Sequence, residues 1–102
     1  MHNELTLPAL QRRIDMRGYM ERMSRFELDV LRAVTSGDRF GTSPEVFAIA
    51  SVIMGTPGCD RGLNVANVAI DENDSGAVFM VLVSLKDGGA RALCVHNPAV
   101  PA

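Results

Sequence analysis

Asp87-Gly88 stands between two strand-like runs, residues 77–85 (AVFMVLVSL) and residues 90–96 (ARALCVH). No other feature restricts the fold of this chain as tightly. An Asp-Gly pair takes the positive φ that a tight antiparallel turn demands. The flanking β-branched and aromatic residues suit a half-buried pleated surface. A hairpin near the C-terminal end is therefore expected. Residues 63–70 (LNVANVAI) lead into Glu72-Asn73-Asp74-Ser75-Gly76, another turn composition, and so join the hairpin as a third run. Their apolar spacing fits a strand and a helix alike, and the strand reading rests on that turn. The C-terminal third thus reads as an antiparallel β-meander of two to three strands.

Upstream the period changes. Projected at about 100° per residue, Met16, Tyr19, Met20, Met23, Phe26, Val30, Leu31 and Val34 fall on one side of a helix. Arg17, Glu21, Arg22, Arg25, Glu27, Asp29 and Arg32 fall on the other, as a solvated face laced with i,i+4 ion pairs. Ser24-Arg25-Phe26-Glu27 spells a capping box, which would start a new helix. The apolar phase nevertheless runs through it unreset, so one long amphipathic helix over about 15–35 is the expectation. Leu28 lies off the stripe. A second helix is expected over about 44–54, with Thr42 or Ser43 as cap, Pro44 in the first turn, Glu45 complementing the dipole and Gly55 at the end. Between Pro44 and Gly55 only Glu45 and Ser51 are polar. A helix apolar on all sides is hard to bury in a small domain, which points to a homodimer or a hydrophobic partner. The whole is an α+β fold, N-terminal helices packed on a C-terminal sheet, with residues 1–102 as a single domain and 97–102 as a loose tail.

The first segment carries an apolar stripe of its own. Leu7, Leu10 and Ile14 share one helical face, out of phase with the following helix. That stripe either folds back on the core or meets a partner. Arg12 and Arg13 precede the ion-pair ladder of the following helix and remain uncommitted. Leu7, Leu10, Arg12, Arg13 and Ile14 are accordingly the candidate partner-binding residues.

Composition narrows the function classes. The chain has 102 residues, 47% hydrophobic and 22% charged, with a net charge of −2. That balance supports a folded core and gives no strong field for nucleic acid or acidic membranes. No apolar run reaches the roughly 18 residues of a membrane span. The first ten residues do not read as a secretory signal, and two cysteines, Cys59 and Cys94, are too few for a disulfide framework. A cytoplasmic protein is expected. Nine arginines against the single Lys86, with abundant Ala, Val and Gly, suggest a GC-rich coding genome and so a bacterial or phage source.

Catalytic patterns are sparse. The loop from Gly55 to Gly62 is glycine-rich but follows a helix, lacks a Gly-Lys-Ser/Thr ending and contains Asp60, so it reads as a connector rather than a phosphate cradle. Cys94 and His96 share a strand face, yet with Cys59 and His2 they show no zinc-site spacing, and Cys94 reads as a small core residue. Asp71, Asn73 and Ser75 alternate, but Gly76 and Leu82 fall at the wrong places for a calcium loop. No catalytic residue, cofactor or metal ligand is assigned. A winged helix would place a recognition helix within residues 60–76, where one arginine stands against four acids, the wrong sign for phosphate contacts. The expectation is a non-catalytic protein-binding module, a stoichiometric inhibitor or regulator of phage or mobile-element type acting on a bacterial protein complex. A winged-helix-like DNA-binding regulator is the alternative.

Overall fold

A computed structural model describes residues 23–37 and 43–101. Helix α1 spans Arg25–Ser36 and helix α2 spans Pro44–Met54. A single 3-10 turn follows at Asp60–Gly62. Strands β1 (Val65–Glu72), β2 (Val78–Leu85) and β3 (Ala90–His96) then form an antiparallel meander in the order β1-β2-β3. The fold is α+β, with the helices preceding the sheet.

The second helix has the expected caps. The Ser43 side chain accepts from the Val46 N–H at 3.2 Å, Pro44 occupies the first turn and Gly55 closes the end. The first helix departs from expectation. Ser24 is extended (φ −65°, ψ 160°), its hydroxyl accepts from the Glu27 N–H, and the Glu27 carboxylate accepts from the Ser24 N–H. The capping box therefore starts a helix here, and an unbroken helix over 15–35 is excluded at Ser24. An unreset apolar phase did not require an unbroken backbone, because both reciprocal cap bonds form at the break. The portion of that expectation before Met23 lies outside the described residues. Arg25 and Asp29 make the expected i,i+4 ion pair at 3.3 Å.

Both helices pack on one face of the sheet. Val30, Ala33 and Val34 of α1 and Val46, Ile49, Ala50 and Ile53 of α2 meet Val65, Val68 and Ile70 of β1, Phe79, Val81, Val83 and Leu85 of β2, and Val95 of β3. Phe26 adds a tilted ring contact on Phe79, with centroids 5.7 Å apart. A bulge between Val65 and Asn67 explains why residues 63–70 read ambiguously. The extra residue turns both Val65 and Val68 to the core, a spacing of three that imitates a helix. On the opposite face Ala69 and Leu82 are buried and Met80 packs beside them.

A hairpin turn forms at Asp87-Gly88, and of the pair Gly88 alone takes positive φ. Gly88 sits at φ 94°, and the Leu85 N–H donates to the Gly89 carbonyl at 2.8 Å. Asp87 accepts from the Gly89 N–H at 2.9 Å and from the Asn64 side chain at 3.3 Å. These bonds, with the nearby Arg91 charge, hold the Asp87 carboxyl below the usual carboxylate range. The C-terminal segment begins with tethers. Buried Asn97 donates from its backbone to the Ala77 carbonyl and from its side chain to the Gly76 carbonyl, and His96 Nε2 lies 2.7 Å from the Val100 carbonyl.

Candidate functional site

The predicted partner residues Leu7, Leu10, Arg12, Arg13 and Ile14 lie outside the described residues. Three other features of the described structure bear on function: the thiols, one projecting leucine and the outer edge of β3.

The two cysteines have opposite surroundings. Cys59 is fully buried, and burial pushes its thiol up; Arg91 counters this and Asp60 adds to it. That environment disfavours the thiolate a nucleophile needs. Cys94, expected in the core, is exposed on the sheet face away from the helices, with its sulfur 3.5 Å from Met80. The alternation of β3 decides this, since Val95 is the neighbour that turns inward. Cys94 and His96 do share a face, but no group of three or more potential metal ligands forms among the described residues.

The loop after α2 is a shaped connector. Gly62 is buried at φ 71°, and a Cβ there would run into the Val34 carbonyl of α1. That close approach pins the 3-10 turn to the end of α1. Leu63, the next residue, donates its N–H to the Asp60 carbonyl and yet leaves its side chain 75% exposed. A large apolar side chain thus projects from a fixed backbone. Sequence reading missed it, because Leu63 looks like the first core residue of LNVANVAI. The only local hint is its position between Gly62 and Asn64, both turn formers. Arg91 braces the same region by donating to the Pro57 carbonyl at 3.4 Å and the Ala90 carbonyl at 2.9 Å.

The ladder fixes which backbone groups face outward on β3. Phe79, Val81 and Val83 stand opposite Val95, Leu93 and Arg91. The Leu85–Gly89 and Asn97–Ala77 bonds extend the same alternation, so the odd-numbered residues of β3 exchange hydrogen bonds with β2. The N–H and C=O groups of Ala90, Ala92, Cys94 and His96 then point away from the sheet. All four residues are exposed. Beside this edge lies α2, the helix that contacts β3, while α1 lies against β1. Helix α2 keeps two large apolar residues on the surface, Phe47 and Val52. Helical spacing sets them about 140° apart, on opposite flanks.

Where a winged helix would need its recognition helix, residues 60–76 form the 3-10 turn, strand β1 and the start of a turn. No helix among the described residues is long and apolar enough to cross a membrane. Comparison with known proteins returns no match to a protein family, a curated protein or a solved structure.

Proposed function

We propose that this chain is a non-catalytic protein-binding module, a stoichiometric inhibitor or regulator of phage or mobile-element type that acts on a bacterial protein complex. The observation that carries the reading is Leu63, an apolar side chain 75% exposed on a backbone locked against α1 through Gly62. An apolar side chain on a fixed backbone costs less backbone entropy when it enters a partner's pocket. A single exposed leucine would be ordinary; one presented by a buried glycine and a 3-10 turn is a preorganised contact. The stripe Leu7, Leu10 and Ile14, with Arg12 and Arg13, supplies a second expected contact. An exposed free thiol at Cys94 suits the reducing bacterial cytoplasm.

The test is affinity capture with the tagged full chain from lysate of a GC-rich bacterium, with and without nuclease, read by mass spectrometry. The expected result is a partner recovered at fixed stoichiometry, insensitive to nuclease and lost with Leu63→Asp. Because Leu63 is exposed, that variant keeps the wild-type melting temperature. Recovery that vanishes on nuclease treatment would overturn the reading in favour of nucleic acid. A partner retained by Leu63→Asp but lost with Leu10→Asp would move the contact to the N-terminal segment.

A further inference from the structure

We infer that the β3 edge is a self-pairing surface: two copies of this chain join β3 to β3 in antiparallel fashion, making one continuous six-stranded sheet. This stands apart from the Leu63 surface and does not rest on it. The outward groups of Ala92, Cys94 and His96 have no backbone partner among the described residues, and the Ala90 carbonyl is met only by the Arg91 guanidinium. Such a row is a template for another strand. Most of the usual guards are missing from it: β3 has no proline, no acid and no bulge, and its one arginine, Arg91, turns its guanidinium back to the Pro57 and Ala90 carbonyls.

The strand is complementary to itself. Pairing Ala90 with the partner's His96 and Ala92 with the partner's Cys94 overlaps all seven residues of β3. It also places all four outward residues in hydrogen-bonded pairs. In that register Arg91 faces the partner's Val95, so no like charges meet across the seam. The outward residues carry the small side chains of Ala90, Ala92 and Cys94 on one face, which leaves room for a second backbone.

Helix α2 distinguishes a second copy from a foreign peptide. One flank of α2 faces α1, and the other lies beside the β3 edge. Phe47 and Val52 occupy opposite flanks, so one of them borders the seam. An extended peptide added to β3 would satisfy the edge and leave that flank wet. A second copy brings its own α2 to cover it. Stable interfaces take about 800 Å² per partner, roughly one part in eight of this chain's 6307 Å² surface. The strand edge supplies the directional bonds and the α2 flank the apolar area. Two-fold closure of this kind also caps both edges, so growth stops at two.

Sedimentation equilibrium of the full chain over a dilution series, together with amide hydrogen exchange, tests the assignment. The expected mass is about 22 kDa, twice the 11.0 kDa chain, falling on dilution. The amides of Ala92, Cys94 and His96 should be protected at high concentration and lose that protection as the mass falls. Ala92→Pro removes only an outward N–H, which an edge strand tolerates. It should give the single-chain mass with an unchanged circular dichroism spectrum. A single-chain mass at every concentration up to the order of 1 mM would overturn the proposal. So would a dimer in which those three amides exchange freely, since the copies would then meet elsewhere. The exchange readout decides the matter on the wild-type chain even if Ala92→Pro fails to fold.

Discussion

The two edges of the sheet are treated in opposite ways. At β1 a carboxylate from a helix meets the edge at Ile70. Glu27 Oε2 accepts from the Ile70 N–H at 2.8 Å, while Oε1 holds the cap of α1. Glu27 is 1% exposed, and Val65, Val68, Ala69 and Ile70 beside it are buried. At β3 only Val95 of the seven residues is buried. Both edges have similar lengths and similar apolar sequences, so propensity does not separate them. What separates them is whether a polar group from elsewhere in the chain reaches the outward N–H row. One edge is met by an intramolecular carboxylate, and the outward backbone groups of the other have no backbone partner among the described residues.

The comparison breaks most severely at the point that fixes α1 to the loop before β1. Gly62→Ala would set a Cβ against the Val34 carbonyl at a positive φ, and a loss of about 4 kcal/mol is expected in urea unfolding. A loss under 1 kcal/mol would mean that the turn is not pinned to α1. Next comes the carboxylate itself. Glu27→Ala leaves the buried Ile70 N–H unpaired and removes half the capping box, with an expected cost of about 3 kcal/mol. Glu27→Gln retains an acceptor and should recover part of it. Equal losses for both would show that charge, rather than hydrogen bonding, holds the β1 edge. Ser24→Ala removes the other half of the box and should cost about 1 kcal/mol by the same measurement. A neutral result would mean that the Ser24 cap adds nothing to the stability of α1.

Smaller effects sharpen the contrast. Cys94→Thr, on the open edge, should change the unfolding free energy of the isolated chain by less than about 0.5 kcal/mol. A loss comparable to that of Glu27→Ala would erase the distinction between the edges. The hairpin leading into β3 has a pH signature. Asp87 is held below its ordinary value of 3.8, so its contribution is complete above that value. It is lost as pH falls from 3.8 through the lower folded-state value. Thermal melts should show this acid loss in the wild type and a smaller one in Asp87→Asn. Identical acid profiles would remove Asp87 from the turn's stability.

Much of the architecture was legible because its causes are local. The hairpin follows from Asp87-Gly88, and α2 follows from Ser43, Pro44 and Gly55, each acting within a few residues of itself. The β1 run was readable only through its turn, since the bulge at Val65/Asn67 disguised its period. The candidate site was far less legible. Glu27 sits among charged neighbours and reads as solvated, yet it is buried, because its second partner is Ile70, 43 residues away. Leu63 reads as core, yet it projects, because Gly62 is what packs on α1.

By itself, then, the sequence determined an α+β chain with two capped helices and a meander, since caps, turns and strand formers act on their own backbone. Only the tertiary structure decided which apolar residues stay outside and which sheet edge a helix carboxylate meets. Those outcomes depend on groups far apart in the chain competing for the same hydrogen bonds and the same buried space, and no local pattern records who wins.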